Sequence, residues 1–475
     1  MRNEMILLQT SLNLEDVITT SGKSLERHCL LKNNIKGIGF ILIIFLFSFS
    51  NLFAQNAKKE IVVAPALSEV PVAFSLLTHG NKQFVAFYNP DHQMVVASRN
   101  IDEDKWVFQT LPSKIGWDGH NSIAMKVDSD GQIHLSGNMH VDPLVYFRTT
   151  KPLDITSFKV INYMTGENEK KVTYPSFMTG PNNEFIYHYR DGGSGNGNGN
   201  EIYNVYDVKK QTWSRFFDKP FMDGKGERNA YMSGPSKGPD GYYHLVWVWR
   251  DSYLCETNNH LSYARSRNFK DWESVDGKPV ELPLTIDKQE LWVDPVPVKA
   301  GLINGGDRTG FDSKNRLVIA YQKFDEKGNN QLYMAKYVKR KWKIKQITDW
   351  DYRWYFSGGG GVHWEIQTKG VQRYKKNLLK VSYSHIKYGE GYLLVDENSF
   401  KVVDTVTVKS PEEMQRTFEK PETTLVKKIG NDCGKGIKGK KFHLEWETLP
   451  PNRDRVRKNV IVEPTILKVI EEEVR

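Results

Sequence analysis

The chain has 475 residues, 39% of them hydrophobic and 12% aromatic, with 37 glycines and a formal net charge of +9. It is long enough for a large core, and its three cysteines lack the spacing of a metal site, which argues against a cysteine-ligated metalloprotein. The charge is spread along the chain, so a solvated surface is the simpler explanation; attraction to acidic polymers is the alternative, and no nucleic acid partner is predicted.

The N-terminal region is predicted to be a targeting segment that takes no part in the fold. Residues 37–50 form a strongly apolar run with lysines before it, and residues 32–54 therefore read as a signal peptide with cleavage near Ala54. The run is short for a membrane span, although an uncleaved anchor is the alternative. Residues 1–31 are interpreted as an unstructured upstream extension. These features predict a periplasmic or secreted protein, with 55–475 as a single folded domain.

The stretch from Gly116 to Arg148 is the clearest local pattern in the chain. Two alternating runs, 121–127 and 132–136, flank a turn that ends in Asp130-Gly131. This combination is typical of a β-hairpin. His120 stands where the first strand begins and His140 just past the end of the second. Because an antiparallel hairpin brings those ends together, we expect the two histidines to meet.

Units of up to four short strands recur along the chain in the same pattern. A tryptophan opens or nearly opens the last run of four units, at Trp106, Trp213, Trp272 and Trp342. Self-similarity at a period of roughly 50 to 75 residues indicates a β-propeller, since six such units are legible. Runs at 441–448 and 464–470, with 60–64 from the N-terminal side, supply a seventh. The predicted fold is all-β: a seven-bladed β-propeller of four-stranded antiparallel blades, closed by N- and C-terminal strands.

Histidine, tyrosine and arginine recur at the strand ends that share one face of the predicted ring. The equivalent positions carry His120 and His140, then Tyr174 and Arg190, then Tyr231 and Arg250. Arginine binds carboxylates in a bidentate manner, and histidine or tyrosine can transfer protons, so this set suits a uronic acid and β-elimination. Any one of these residues alone would more simply be an exposed or hydrogen-bonded loop residue. Trp249 lies close enough to the rim to stack on a sugar.

Other features carry less chemistry. His79 lies in the turn His79-Gly80-Asn81, which places it on the opposite face of the predicted ring. The glycine-rich stretch 191–200 lacks the lysine and helix of a phosphate cradle, and 357–361 is predicted to be a loop with a close backbone approach. Cys255 and Cys433 could pair in an oxidising compartment. No cofactor and no metal ligand set are predicted, although a structural cation in the channel is possible.

Eight ordered motifs resemble the BNR-repeat-containing propeller proteins of Bacteroidetes over about 66–464. They are GWDGHNS, SGNMHVDPLVYFR, TYPSF, YRDGGSGNGN, RNAYMSGP, HLVWVWRD, LINGGDR and ITDWDYRWYFSG. Within that group the chain looks most like the seven-bladed α-L-rhamnosidases that remove rhamnose α-1,4-linked to glucuronic acid. Rhamnose–glucuronate lyases and ulvan lyases are related to them.

The resemblance implies two different sets of catalytic residues. For a rhamnosidase it implies a single catalytic histidine, which matches His79. For a lyase it implies four catalytic residues, matching His120, His140, Tyr174 and Arg190, with Tyr231 as a further match. The expectation is an α-L-rhamnosidase, a glycoside hydrolase acting on terminal rhamnose–glucuronate linkages of plant or algal glycans. The alternatives are a polysaccharide lyase acting on uronate-containing polysaccharides and a glycan-binding propeller without turnover.

Overall fold

The computed structural model describes residues 58–193, 199–306, 308–458 and 460–474. The predicted upstream extension and signal peptide lie outside these residues. Among the described residues, no helix has the length and apolar character needed to cross a membrane. The strands pair antiparallel with their neighbours and fall into seven sheets.

The first three sheets follow β1 (Lys58–Ala66) in chain order. Sheet 1 contains β2 (Ser75–His79), β3 (Lys82–Tyr88), β4 (Gln93–Asn100) and β5 (Val107–Lys114). Next come β6 (Ile123–Val127), β7 (Ile133–Gly137), β8 (His140–Asp142), β9 (Tyr146–Thr149) and β10 (Phe158–Val160); all except β8 form sheet 2. Sheet 3 contains β8 with β11 (Val172–Thr179), β12 (Phe185–Asp191), β13 (Asn200–Asp207) and β14 (Thr212–Arg215).

The remaining sheets complete the described chain. Sheet 4 contains β15 (Asn229–Lys237), β16 (Tyr243–Arg250), β17 (Asn258–Ser266), β18 (Trp272–Glu273), β19 (Pro279–Val280) and β20 (Trp292–Asp294). Sheet 5 contains β21 (Thr309–Phe311), β22 (Leu317–Phe324), β23 (Asn330–Val338) and β24 (Lys341–Gln346). Sheet 6 contains β25 (Ile366–Arg373), β26 (Leu378–His385), β27 (Gly389–Asp396) and β28 (Val402–Lys409). Sheet 7 contains β29 (Val426–Asn431), β30 (Lys440–Thr448) and β31 (Thr465–Glu473), and β1 pairs with β31.

The core lies between neighbouring sheets, which explains why some strands are apolar on both faces. In β16, Trp247 packs in a cluster that includes Ile186 of sheet 3, whereas Val246 packs in a cluster that includes Ile319 of sheet 5. Because both faces of such a strand are covered, neither face needs to be polar. Successive side chains point to opposite faces and so pack against different neighbouring sheets. The sheets therefore hold each other through side-chain packing.

The hairpin predicted around Gly131 is confirmed. Asp128 Oδ1 accepts hydrogen bonds from the backbone N–H groups of Asp130 (3.0 Å) and Gln132 (2.9 Å). Gly131 has φ of 82°, a left-handed conformation that glycine adopts without strain. This turn fixes the register of β6 against β7, and thereby the position of the site residues at the other end of the hairpin.

One α-helix, α1 (Pro411–Phe418), is present among the described residues, with three short 3₁₀ segments at Ile155–Ser157, Cys255–Thr257 and Gln289–Leu291. Ser410 caps α1: its side chain accepts from the Glu413 N–H, and the Glu413 side chain accepts from the Ser410 N–H. This capping box and the proline in the first turn explain why an eight-residue segment is helical here. The helix connects sheet 6 to sheet 7.

Candidate active site

A cavity of about 350 Å³ brings together most of the residues that were predicted to share one face. Its volume falls within the range of about 300–1,000 Å³ that is typical of ligand pockets. The residues that line it are His120, His140, Tyr174, Tyr231, Arg250, Tyr253, Cys255, Ile303, Asn304, Gly359, Gly360, Gly361, Val362, Trp364, Arg453 and Asp454. Segments from widely separated parts of the chain therefore converge on one concave surface.

The two histidines meet, as the hairpin predicts, and Asp118 joins them. The imidazole rings lie with centres 4.5 Å apart. One carboxylate oxygen of Asp118 lies 2.7 Å from His120 Nδ1, and the other lies 2.5 Å from His140 Nδ1. Since a carboxylate only accepts hydrogen bonds, both Nδ1 atoms carry protons. Neutral rings in this arrangement have their lone pair at Nε2, which makes Nε2 the proton-accepting nitrogen.

Charge around these histidines is set by two carboxylates. Burial lowers the pKa of His120, but the hydrogen bond to Asp118 and the charge of Asp454 outweigh it, so the pKa is raised overall. Burial likewise raises the pKa of the Asp118 carboxyl, while hydrogen bonds from His120 and His140 reverse the effect and hold it below its usual range. Asp118 is therefore ionised at neutral pH, and its charge and that of Asp454 stabilise the imidazolium form of His120 relative to an isolated imidazole.

Tyr174 reaches the cavity because of a local irregularity in β11. The register of β11 against β12 shifts between Thr173 and Ser176, and Tyr174 has φ of 53°. A bulky aromatic residue in the left-handed region is a strained exception, and β-bulges of this kind redirect side chains next to active sites. The ring of Tyr174 stacks on that of His140, with centres 5.6 Å apart. Burial raises the pKa of Tyr174 to about 12, so it is protonated at neutral pH.

The two arginines occupy different depths. Arg250 lines the cavity and lies 3.5 Å from the Tyr231 hydroxyl through Nη1. Arg190 lies beneath the tyrosines and is only 1% exposed, with its guanidinium carbon 4.9 Å from the ring centre of Tyr174 and 5.1 Å from that of Tyr231. Among the residues that the structure describes, its buried Nε and Nη2 atoms have no hydrogen-bond partner. Arg190 thus places positive charge behind the wall of the cavity, while Arg250 is the arginine that faces it.

A loop before β31 completes the cavity, and sequence reasoning did not identify it. Asp454 Oδ2 lies 3.3 Å from His120 Nδ1 and accepts a hydrogen bond from the Gly361 N–H (3.0 Å). Arg453 donates to the carbonyls of Ser357 (2.8 Å) and Gly359 (3.1 Å). The predicted close backbone approach is confirmed at Gly360, where a Cβ would lie 2.6 Å from the Arg453 carbonyl oxygen. No local pattern marks Asp454, whereas Asp118 could have been noticed two positions before His120.

Two predicted residues lie away from this cavity. His79 ends β2 and pairs with Lys82 across the β2–β3 turn, and it is not among the described residues that line the cavity. Trp249 is fully buried, with its ring centre 6.5 Å from that of Trp247. The prediction that Trp249 stacks on a sugar is wrong, because neighbouring sheets cover both faces of β16.

His385 and the two described cysteines lie in packed or hydrogen-bonded positions outside the proposed chemistry. His385 is buried against Trp350, with ring centres 4.5 Å apart, and burial lowers its pKa to about 3. Cys255 and Cys433 are both free thiols, and Cys433 donates to the Leu76 carbonyl.

The donor atoms of Asp118, His120 and His140 lie within 4.8 Å of one another, which is also close enough to hold a metal ion.

The chain matches the family described as "BNR repeat-containing family member" over residues 82–350, more than half of its length. The fold and the site define an all-β protein of antiparallel sheets with a cavity lined by histidine, tyrosine and arginine. The chain belongs to the BNR repeat-containing family.

The chain is similar to curated ulvan lyases over part of its length. The ulvan lyase short isoform of Alteromonas sp. (strain LOR) is 30% identical over 132 residues, which cover 26% of this chain and 25% of that protein. The long isoform of Pseudoalteromonas sp. (strain PLSV) is 29% identical over 144 residues, covering 27% and 14%. The chain thus aligns with a quarter or less of these relatives' length.

Two solved structures share the fold over almost their whole length. The polysaccharide lyase Uly1 superposes with a TM-score of 0.55 at 16% identity, covering 90% of this chain and 95% of that one. A PL25 ulvan lyase bound to -[GlcA(1-4)Rha3S]- gives a TM-score of 0.55 at 13% identity, covering 87% and 96%. These identities establish the shared fold alone.

The comparisons correct the functional expectation. The relatives and the similar structures named above are polysaccharide lyases, so the prediction of an α-L-rhamnosidase, and of a glycoside hydrolase in general, is wrong. His79, the lone catalytic residue of that prediction, is not among the described residues that line the cavity. The lyase alternative is the better supported of the sequence-based expectations.

Proposed function

We propose that this protein is a polysaccharide lyase that cleaves a uronate-containing polysaccharide by β-elimination. The observation that carries the proposal is the arrangement of His120, His140 and Tyr174 against a single cavity wall, with arginine charge beside and behind it. The relatives' names support a glucuronate–rhamnose polymer of the ulvan type as the first substrate to test.

His140 is proposed as the base. Its Nδ1 donates to Asp118, so its neutral form presents the Nε2 lone pair as the proton acceptor. In the reaction the C5–H bond of the uronate breaks and its proton passes to this nitrogen. The electrons of that bond form the C4–C5 double bond, and the C4–O4 bond breaks.

Tyr174 is proposed as the acid that protonates the leaving O4. A phenol with a pKa of about 12 holds its proton at neutral pH, and a departing alkoxide is basic enough to take it. In a glucuronate, H5 and O4 lie on the same side of the ring, so the acid and the base are needed close together. The stacked rings of Tyr174 and His140 meet that requirement.

Positive charge is proposed to acidify the C5 proton by neutralising the substrate carboxylate. Arg250 faces the cavity, and the imidazolium form of His120 is favoured by the carboxylates of Asp118 and Asp454. Arg190 adds charge from behind Tyr174 and Tyr231 without reaching the cavity surface. A preorganised positive site stabilises the charge that develops on the carboxylate in the transition state.

The proposal extends to architecture and location. We infer that the seven sheets are the blades of a propeller whose ring is closed by the pairing of β1 with β31. We also propose that the enzyme works without an added cofactor or metal and is exported to the periplasm or beyond. The apolar run 37–50 is the support for export.

The test is incubation of the purified protein with ulvan, with two products measured in parallel. Absorbance of the conjugated unsaturated uronate is expected to rise, without release of free rhamnose. His79→Ala is the matched control and is expected to retain full activity. Absence of unsaturated product from ulvan and from other glucuronate polysaccharides would refute the proposal, and retained binding without turnover would indicate a glycan-binding propeller.

A further inference from the structure

A second concave surface adjoins the catalytic cavity. It has a volume of about 670 Å³ and shares Gly361, Val362 and Arg453 with the lining of that cavity. We call it the basic groove and define it by the six residues that characterise it: Tyr355, His363, Phe418, Lys420, Arg455 and Lys458. Because the two surfaces share part of their walls, a chain bound in the cavity can continue into the groove.

The charge of the groove is positive. Five cationic side chains line it against two carboxylates, Glu365 and Glu422. Glu365 accepts a hydrogen bond from the Tyr352 hydroxyl (2.6 Å), and Glu422 lies 4.0 Å from Arg457. Over the part of the chain that the structure describes, the exposed side chains of Lys420, Arg455 and Lys458 make no ion pair. These three cations are therefore available to a ligand that carries negative charge.

The aromatic rings of Tyr355 and Phe418 also line the basic groove. Tyr355 is 81% exposed, although large aromatic side chains are usually covered, and the Arg353 guanidinium lies 5.1 Å from its ring centre. Phe418, at the end of α1, stacks on His363 with ring centres 4.4 Å apart and planes inclined by 17°. Flat rings held beside cations suit sugar rings that carry acidic groups.

We propose that the basic groove is an accessory subsite that holds the part of an acidic polysaccharide lying outside the catalytic cavity. Lys420, Arg455 and Lys458 contact its carboxylate or sulfate-ester groups, and Tyr355 stacks on one of its sugar rings. The inference rests on the proposed function, because it takes the occupant of the groove to be the substrate of the adjoining cavity. It assigns to this surface a role in binding long chains and none in the chemistry.

The test measures binding in a Tyr174→Phe background, so that the result does not depend on turnover. Isothermal titration calorimetry compares a disaccharide with a hexasaccharide fraction of ulvan. Replacing both Arg455 and Lys458 by glutamine removes two exposed ionic contacts and is expected to weaken hexasaccharide binding about tenfold, or about 1.4 kcal/mol. Binding of the disaccharide is expected to stay unchanged. Tyr355→Ala is expected to weaken the hexasaccharide selectively as well.

The matched control replaces Lys105 and Lys209 by glutamine, which removes the same charge from exposed positions outside the groove lining. Equal losses in the control and the groove variant, or equal losses for both ligands, would overturn the proposal. A desulfated hexasaccharide identifies the bound group: a persisting effect assigns carboxylates and a vanished one assigns sulfates. If the unmodified protein binds in the groove but forms no unsaturated product, the lyase proposal is refuted and the groove proposal stands.

Discussion

The ring of His140 stacks on the ring of Tyr174, with planes inclined by 27°. The two residues come from strands β8 and β11, which pair with each other although β8 follows the hairpin of sheet 2. This crossover of one short strand to the next sheet brings the proposed base and the proposed acid together.

Tyr174→Phe removes the proposed proton donor and leaves the ring in place. We expect turnover to fall by about 10²–10⁴-fold, which is the usual contribution of general acid catalysis, while substrate binding changes little. Formation of the unsaturated uronate and calorimetric binding are the two measurements. Equal losses of binding and turnover would show that Tyr174 acts as a contact and not as an acid.

Asp118→Asn keeps the shape of the side chain but removes its charge. An amide presents only one oxygen to two histidines, so at least one ring loses the acceptor that holds its proton on Nδ1. We expect kcat to fall by about 10²-fold or more with a smaller change in KM. A variant whose kcat is unchanged would mean that the carboxylate does not orient the rings.

Chelation separates this orienting role from metal binding at the same three side chains. Treatment with EDTA followed by dialysis is expected to leave turnover unchanged, because hydrogen bonds to Asp118 account for the positions of both rings. If activity disappears and a divalent cation restores it, the cluster of Asp118, His120 and His140 is a metal site instead.

Asp454→Asn is expected to change the pH profile. Burial lowers the pKa of His120, while Asp118 and Asp454 raise it overall, so removing one of these charges lowers the pKa. The imidazolium form is then lost at lower pH, and the alkaline limb of the kcat/KM profile shifts toward acid. A shift of the acidic limb instead would assign the base role to neutral His120. Wild type and variant should be compared at matched ionic strength.

Trp249→Ala is expected to act on stability and not on sugar binding. Removing a fully buried indole leaves a cavity between sheets, and such changes cost about 3–5 kcal/mol of unfolding free energy. Urea denaturation measures the loss, and the milder Trp249→Phe variant keeps enough stability to measure KM. A raised KM in Trp249→Phe without loss of stability would restore the sugar-stacking role.

The sequence pattern predicted those features that depend on contacts between residues close together in the chain. The meeting of His120 and His140 follows from one turn, because Asp128 and Gly131 fix the register of β6 against β7. The rim position predicted for Trp249 failed because both faces of β16 are covered, which strand alternation alone does not reveal. A pattern within one strand says which residues share a face, but not what lies against that face.

Other features depend on contacts that no local pattern carries. Strand β21 has only three residues and was not predicted, since so short a run shows no alternation. Asp454 lies more than 300 residues from His120 in the sequence, in a loop without any motif. The strain at Tyr174 arises from a bulge that depends on pairing with β12. These are products of tertiary packing.

The reach of Asp454 into the cavity has a consequence for biosynthesis. His120 is translated more than 300 residues before Asp454, whose carboxylate lies beside it in the folded protein. A nascent or prematurely terminated polypeptide therefore lacks part of the proposed site even where its first sheets have folded. The proposed site is complete only after Asp454 has been translated.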